Sequence, residues 1–335
     1  MVKEKYLCIQ LRRIGDVIMT TPAIRALAKA KPNAEIHFLT ELPAQQVLQY
    51  NPYLKKIIIF PTSPNLKETI NFIRELRAEQ YSTVIDFYGL NKTAVLSWLT
   101  GARCRVGFNF KGRSFFYTDH SQIPGELTYS AVDKLALLNA FGIQSKNYRL
   151  DFPIDEKDEA QGKQILKKLN LDRNKRLISI SPVSRRDYKV WPTEKFAEIC
   201  DYLIERYNSQ IIFLWGPNEQ HFVDEVRDKM HHTALPNYPI PTLRETVALL
   251  QHVDLHIGND NGPAHFAISA GIPTIIIFGR PFPQSWTPPD NDSKHMYVDY
   301  NLDCKKSCQY PNCDRQCIID LPSDRVIKKI DSFFR

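Results

Sequence analysis

The sequence lacks any apolar run near the roughly 20 residues that a membrane-spanning helix needs. It also lacks the pattern of a secretory leader. The apolar stretch near the start is about five residues long and charge follows it at once, whereas a signal peptide carries roughly 7–15 apolar residues. Repeats and low-complexity tracts are missing as well. These absences predict a globular protein of the cytoplasm.

Two common nucleotide-binding motifs are also missing. The chain has no G-x-G-x-x-G turn and no G-x-x-x-x-G-K-S/T loop, which argues against a dinucleotide-dependent dehydrogenase and against a P-loop enzyme. It has no dense tract of Lys and Arg and no nucleic-acid-binding motif, which argues against a nucleic-acid partner.

The size and the charge of the chain are informative. A length of 335 residues, 43% of them hydrophobic, favours two domains. The net charge of +7 is uneven, because residues 1–153 hold 20 basic and 12 acidic residues whereas 154–335 hold 24 and 25. The first half therefore carries a solvated basic surface or faces an anionic partner, such as a membrane leaflet or a phosphorylated substrate.

Short apolar runs alternate with amphipathic stretches along the whole chain, and this alternation predicts an α/β fold with parallel, doubly wound sheets. The pattern pauses at Pro153 in a charge-rich stretch and then restarts. We therefore predict two Rossmann-like domains, 1–153 and 154–321, and a final helix at 322–335 that packs back toward the first domain. The predicted strands are 6–11, 35–40, 55–60, 82–88, 177–182, 210–216, 254–260 and 274–279, with a strand or loop at 239–243. The predicted long helices are 66–80, 128–141, 156–169, 193–207, 218–230, 243–251 and 263–270.

Unusual polar residues follow several of these strands. Ligands of open parallel sheets bind outside the carboxyl ends of the strands, and in a two-domain arrangement those edges face a shared cleft. The four stretches at such positions are IGD, SPVSRRDYKVWP, WGPNE and GNDNGPAH.

The stretch GNDNGPAH joins a strand to a helix that opens with Gly262 and Pro263. Free N–H groups and the positive end of the helix dipole suit a phosphate there. The structural alternatives are a helix-capping carboxylate for Asp260 and a core histidine for His265.

The other turns also allow two interpretations each. Asp16 is a general base at the cleft edge or an acid stabilised by a helix N-terminus. Ser184 and Lys189 suit a diphosphate leaving group or belong to an exposed loop. Glu219 accepts hydrogen bonds from ribose hydroxyls, as acids in dinucleotide folds do, or is a first-turn glutamate.

Taken together, the stretches IGDVIMTTPAIRAL, SPVSRRDYKVWPTEKF, FLWGPNE and GNDNGPAHFAISAGIPTIIIFG resemble glycosyltransferase family 9, the ADP-heptose:lipopolysaccharide heptosyltransferases. The resemblance covers nearly the whole chain. It implies a GT-B fold with an acceptor-binding first domain and a nucleotide-sugar-binding second domain. It also implies an inverting transfer from ADP-heptose, with ADP as product and no required metal or other cofactor.

The resemblance implies a role for each matching residue. Asp16 matches the general base that takes the proton of the acceptor hydroxyl. Asn261 and Arg185 depart from the family pattern, so a different nucleotide sugar or acceptor is an alternative, as is a non-catalytic nucleotide-sugar-binding protein; an epimerase on the same frame ranks lower. The residues that match donor contacts are Ser184 and Lys189 for the diphosphate and sugar, Glu219 for the ribose, Asp260 for the heptose, and Asn261, Gly262 and His265 for the phosphates.

The implied acceptor is the phosphorylated lipid A core at the cytoplasmic face of the inner membrane, which suits the basic first half. The sequence does not give the oligomeric state. The candidates for acceptor contacts are Arg12, Arg13, Lys111 and Arg113.

A cysteine cluster with the spacing C-x3-C-x4-C-x3-C lies near the end of the chain. Four cysteines at short spacing can form a tetrahedral zinc site, although the tight C-x2-C pair is missing. Free thiols and disulfides are the alternatives, and disulfides are less expected in the cytoplasm. The cluster consists of Cys304, Cys308, Cys313 and Cys317.

Overall fold

The computed structural model describes residues 4–121, 128–279, 282–289, 294–300, 302 and 313–335. The chain divides into two compact units, Met1–Pro153 and Ile154–Arg335.

The first unit contains a parallel sheet of six strands in the order β3-β2-β1-β4-β5-β6 among the described residues. This is the strand order of the dinucleotide-binding fold. All strands stay parallel, but the order in which they follow one another across the sheet reverses between β1 and β4. The strands are β1 (Lys5–Ile9), β2 (Glu35–Thr40), β3 (Lys56–Ile59), β4 (Thr83–Asp86), β5 (Cys104–Phe108) and β6 (Asp119–Ser121). The helices are α1 (Ile14–Ile18), α2 (Thr21–Ala30), α3 (Leu66–Ala78), α4 (Asn91–Leu99) and α5 (Ser130–Ala136), with short 3-10 helices at Ala44–Val47, Ser114–Phe116 and Leu137–Phe141.

Local sequence explains these elements. All four residues of β4 are buried, as expected for an inner strand of a parallel sheet that is covered on both faces. Helix α3 begins at a capping box, in which Asn65 accepts a hydrogen bond from the Glu68 backbone N–H at 2.9 Å and Glu68 accepts one from the Asn65 N–H at 2.8 Å.

The second unit contains a parallel sheet of five described strands in the order β11-β10-β9-β7-β8. Its strand order reverses between β7 and β9, as in flavodoxin-like sheets, and a reversal point is where such sheets bind ligands. The strands are β7 (Arg176–Ser181), β8 (Ser209–Phe213), β9 (Leu255–Asn259), β10 (Thr274–Phe278) and β11 (His295–Asp299). The helices are α6 (Glu156–Lys168), α7 (Thr193–Tyr207), α8 (Gln220–Lys229), α9 (Leu243–Leu250), α10 (Gly262–Ser269), α11 (Gln316–Ile319) and α12 (Ser323–Phe334), with 3-10 helices at Asp187–Lys189 and Pro283–Ser285.

The end of the chain completes the core of the second unit. The Trp191 side chain is fully buried, and its indole N–H donates to the Leu321 carbonyl at 2.9 Å. Val326 and Ile330 of α12 are buried in the same hydrophobic cluster, and α12 packs on α7. The apolar face of α12 is thus buried against its own unit. The expected packing of 322–335 toward the first domain stays a prediction.

The predicted α/β class with two parallel-sheet, Rossmann-like domains is confirmed. Three local differences have physical causes. The stretch 239–243 forms no strand, because Pro239 and Pro241 lack the N–H that a sheet ladder requires. The helix predicted at 128–141 tightens into a 3-10 helix at Leu137. The polar edge strand β6 carries no apolar pattern that would predict it. No helix in the described part of the chain is long and apolar enough to cross a bilayer.

Candidate functional site

The reversal point of the second sheet is held together by two asparagines. Asn259, the last residue of β9, accepts a hydrogen bond from the Trp191 backbone N–H at 3.1 Å and donates to the Pro182 carbonyl at 2.9 Å. The turn that follows β7 is thereby fixed to the end of β9. Both turns carry predicted donor-binding residues.

Asn261 performs two structural tasks at once. Its carbonyl oxygen accepts the Ala264 backbone N–H at 3.2 Å and caps α10. Its amide donates to the Ser181 hydroxyl and to the Val183 carbonyl, both at 2.8 Å. The cap of this helix is therefore Asn261, and the alternative role of Asp260 as its cap is wrong.

Lys189 and Asp260 form an ion pair in front of α10. Their side chains are 19% and 7% exposed, so the pair is largely shielded from water. The Lys189 ammonium also lies 6.0 Å from the ring centroid of Trp286. An ammonium next to the positive end of a helix is an arrangement that suits an anionic ligand.

His265 and Trp286 extend this group. His265 is buried on α10, as in the core-histidine alternative, and its ring centroid lies 6.0 Å from that of Trp286. Sequence reasoning missed Trp286. The signal was available, because Trp286 follows β10 at the ligand-binding edge of the sheet.

Gly279 supports the turn that carries Lys189. A Cβ added at Gly279 would lie 2.5 Å from the Tyr188 carbonyl oxygen and 2.6 Å from the Ile318 Cβ. Only a residue without a side chain fits between this turn and α11. The packing therefore fixes the position from which Lys189 reaches Asp260.

Ser184 and Glu219 lie in turns that follow β7 and β8. The Ser184 hydroxyl accepts a weak hydrogen bond from the Arg186 N–H at 3.4 Å. A Glu219 carboxylate oxygen accepts the Gly216 backbone N–H at 2.8 Å, so Glu219 closes its own turn. Gly262 is the first residue of α10, and a Cβ there would make only ordinary contact with the Phe266 ring.

The reversal point of the first sheet carries Asp16. Asp16 is partly exposed in the first turn of α1, which follows β1, and its carboxylate accepts the Arg13 backbone N–H at 3.2 Å. This hydrogen bond matches the structural alternative of a helix-start acid. It occupies one carboxylate oxygen, and the partial exposure of the side chain leaves room for a second contact.

Two buried charged residues at the same edge of the first sheet as Asp16 escaped the sequence interpretation. The Lys134 ammonium donates to the Phe87 carbonyl and, at 3.3 Å, to the Gln10 side-chain oxygen. Asp86 is buried at the end of β4, and burial raises the pKa of its carboxyl group against the opposing effect of its hydrogen bonds. The sequence does not distinguish these two residues from other Lys and Asp residues, because only the folded sheet buries them.

The predicted acceptor contacts differ in their surroundings. Arg12 is exposed and pairs with Glu41 at 2.9 Å. Arg113 donates to the Gly89 carbonyl, and its guanidinium carbon lies 4.5 Å from the Phe110 ring centroid. The remaining two candidates, Arg13 and Lys111, are exposed.

The cysteine cluster is described only in part. Cys304 and Cys308 lie outside the described residues. Cys313 is exposed, and the Cys317 sulfur contacts the Gly279 carbonyl oxygen. The described ranges contain no group of three or more His, Cys, Asp or Glu side chains that could hold a metal ion.

Comparison of the sequence with known proteins identifies the family of this chain. The profile of glycosyltransferase family 9 (heptosyltransferase) matches residues 69–317. Lipopolysaccharide heptosyltransferase 1 of Campylobacter coli is 27% identical over 98% of this chain and 99% of its own length. Lipopolysaccharide heptosyltransferase 3 of Escherichia coli is 26% identical over 87% of this chain and 88% of its own.

Solved structures share the fold over the full length. A family 9 glycosyltransferase from Veillonella parvula superposes with a TM-score of 0.86 at 24% identity, over 99% of this chain and 98% of its own. E. coli ADP-heptose lipopolysaccharide heptosyltransferase II superposes with a TM-score of 0.77 at 18% sequence identity, over 98% of each chain. E. coli heptosyltransferase WaaC, solved with ADP-2-deoxy-2-fluoro heptose, superposes with a TM-score of 0.72 at 20% sequence identity, over 98% of this chain and 99% of its own.

The fold and the matching family profile define a glycosyltransferase of the GT-B class. The chain belongs to glycosyltransferase family 9, the heptosyltransferase family of lipopolysaccharide core biosynthesis, which confirms the resemblance of the four sequence stretches.

Proposed function

We propose that this enzyme transfers heptose from ADP-heptose to the inner core of lipopolysaccharide, with inversion at the sugar carbon and without a required metal ion. The observation that carries the proposal is the Lys189–Asp260 pair in front of α10, at the strand-order reversal of the second sheet. Two relatives are lipopolysaccharide heptosyltransferases, which supports the sugar and the acceptor, and the ligand of WaaC supports the nucleotide.

The second domain binds the donor in this proposal. Lys189 and the N-terminus of α10 neutralise the charge that develops on the departing ADP, a task that a metal ion performs in other transferases. Ser184 and His265 contact the diphosphate and sugar, and Asp260 contacts heptose hydroxyls. Asp260 pairs with Lys189. In this proposal the diphosphate takes the place of the Asp260 carboxylate on the Lys189 ammonium.

Three of the proposed donor-site residues have more limited roles. Asn261 supports the phosphate-binding turn mainly through the cap and the two bonds of its amide. Glu219 offers its second oxygen to the ribose while the first remains on the Gly216 N–H. Gly262 is the first residue of the helix, where a Cβ would make only ordinary contact with the Phe266 ring.

The first domain binds the acceptor and supplies the base. Asp16 accepts the proton of the acceptor hydroxyl as the new glycosidic bond forms, and this single displacement gives inversion. The position of the carboxylate matters most, because the hydroxyl acidifies only as the transition state develops. Arg12, Arg13, Lys111 and Arg113 attract the phosphates of the core.

We further propose that the enzyme works at the cytoplasmic face of an anionic membrane. An aromatic patch on the first unit supports this: Phe115 is 84% exposed, Trp98 is 52% exposed, and Phe116 lies between them with ring centroids at 5.7 and 6.4 Å. The exposed Lys111 lies shortly before Phe115 in the sequence. Aromatic and basic side chains together suit the interface of an anionic bilayer.

The proposed reaction is tested by incubating the enzyme with ADP-heptose and truncated core acceptors, with and without EDTA. Mass spectrometry detects the added sugar, and NMR of the product gives the anomeric configuration. The proposal expects an inverted heptoside at equal rates in both conditions. Transfer only from another nucleotide sugar would replace the donor, loss of activity with EDTA would exclude metal independence, and ADP binding without transfer to any acceptor would favour a non-catalytic binding protein.

The cysteine cluster stays a prediction that metal analysis tests. A tetrahedral site of four thiolates binds zinc or iron. Elemental analysis of protein purified without chelator gives about one metal per chain if Cys304, Cys308, Cys313 and Cys317 form a site. A content far below one metal per chain excludes it.

A further inference from the structure

Lys134 is a buried cation at the ligand-binding edge of the first sheet. Its side chain is almost fully enclosed, and its ammonium contacts groups that follow two different strands, the Phe87 carbonyl after β4 and the Gln10 side-chain oxygen after β1. The Phe108 ring at the end of β5 lies 5.6 Å away. Burying an ammonium is costly unless it is hydrogen-bonded and paired with opposite charge. The groups that hydrogen-bond or pair with the Lys134 ammonium therefore indicate what the residue does in this unit.

Three acids face Lys134, from three elements. Burial lowers the pKa of the lysine, and attraction by Asp16 opposes this most strongly, followed by Asp86 and Asp133. Asp86 already accepts the backbone N–H groups of Tyr88 and Gly89, both at 3.0 Å. The Asp86 carboxylate also accepts a hydrogen bond from the Tyr117 hydroxyl at 2.7 Å, so most of its hydrogen-bonding capacity is used. Asp133 accepts a hydrogen bond from the Thr128 hydroxyl.

Hydrogen bonds also connect Lys134 to the turn that carries Asp16. Gln10, whose side chain is fully buried, accepts from the Lys134 ammonium and donates through its amide to the Arg12 carbonyl at 2.5 Å. The next residue, Arg13, donates its backbone N–H to the Asp16 carboxylate. One amide side chain thus transmits the position of a buried lysine to the turn in front of α1.

We propose that Lys134 is a positioning residue for Asp16: through Gln10 it fixes the 10–13 turn, and its charge attracts the carboxylate toward the edge of the sheet. The inference rests on the proposed role of Asp16 as the base. Its physical basis is that a displacement of about 1 Å at a reacting group can lower a rate by about 10²-fold. Lys134 itself does not contact the substrate.

The test uses Lys134→Met and Gln10→Met, which keep apolar volume and remove the charge or the amide bridge. Arg25→Met is the matched control, because Arg25 is another buried cation of this unit, bonded to Asp151, the Arg149 carbonyl and Asn147. Steady-state transfer is measured for each variant, and hydrogen exchange is measured at the amides of residues 13–19. Circular dichroism and the thermal unfolding transition verify that each variant is folded, because all three changes lie in the first unit.

The proposal expects kcat to fall about 10- to 100-fold in Lys134→Met and Gln10→Met, with an unchanged KM for the donor, and exchange at 13–19 to rise. The Arg25→Met control keeps kcat and the exchange of these amides. A kcat within twofold of wild type in Gln10→Met, or an equal fall in Arg25→Met, overturns the proposal, and Gln10→Met decides alone if Lys134→Met does not fold. If the wild type transfers no sugar, the proposed function fails instead. Exchange at 13–19 then decides the inference, and unchanged exchange in both variants refutes it.

Discussion

In the proposed donor site, single residues serve both the fold and the expected ligand. Asn261 caps α10 and bridges to β7, while Lys189 and Asp260 neutralise each other in a poorly hydrated place. A site with this pairing is preorganised, because the cation that a diphosphate needs is already held in position. In the proposed reaction, donor binding only replaces the Asp260 carboxylate by the diphosphate as the partner of Lys189.

Replacing Lys189 by Ala removes that cation and leaves the Asp260 carboxylate unpaired at the site. We expect the affinity for ADP to fall by about 10- to 100-fold, since a hydrogen bond to a charged group is worth about 1.5–3 kcal/mol. Calorimetry with ADP measures the change, and the exposed Lys175→Ala is the control. An unchanged affinity in Lys189→Ala would exclude Lys189 from the donor site.

At the level of elements, one carboxylate ties α3 to two strands. Glu79, which follows α3, pairs with Lys56 of β3 at 2.7 Å and with Lys5 of β1 at 3.0 Å. The hydrogen bonds from Lys56 and Lys5 lower the pKa of Glu79 to about 2. A carboxyl group with a lowered pKa in the folded state stabilises the fold above its unfolded-state pKa, and this contribution is lost as the pH falls through the folded value.

Glu79→Gln should therefore lower the free energy of unfolding at neutral pH, by about 1 kcal/mol or less because the group is partly exposed. The difference from wild type should shrink as the pH falls below about 4.5 and vanish near 2. Denaturant unfolding at several pH values measures this difference, with Glu75→Gln, a change of an exposed residue of α3, as control. A difference that is constant over this pH range would contradict the assignment.

The sequence predicts elements whose signal is local, and it misses features that only tertiary contacts create. The apolar strands and the polar turns after them were identified because burial on both faces and strand-end chemistry leave a pattern in the sequence. Lys134 on α5 looks like any other helical lysine until the sheet encloses it. The cap of α10 is Asn261 and not Asp260, because tertiary hydrogen bonds to Ser181 and Val183 orient the Asn261 amide so that its oxygen accepts the Ala264 N–H.

At the scale of the whole molecule, the uneven charge is the property to explain. The first unit carries the excess of basic residues, and the aromatic patch of Trp98, Phe115 and Phe116 lies on the same unit. An acceptor that is anchored in a membrane would reach such a unit most readily if the unit itself docks on anionic lipid.

We expect the protein to co-sediment with vesicles that contain phosphatidylglycerol and much less with pure phosphatidylcholine, and to be released by salt. Phe115→Ser should weaken this binding, since an interfacial aromatic ring is lost. Leu66→Ser, which changes another exposed apolar side chain of the unit outside the patch, is the control. Equal binding of both variants and the wild type would argue against the patch.

The central claim is that Asp16 is the base of a sugar transfer, and the rate of Asp16→Asn tests it most directly. The amide keeps the size of the side chain but cannot accept the proton, so kcat should fall by about 10²–10⁴-fold while ADP affinity stays at the wild-type value. Asp119→Asn, an exposed carboxylate on β6, should transfer at the wild-type rate. Wild-type transfer by Asp16→Asn would contradict the account.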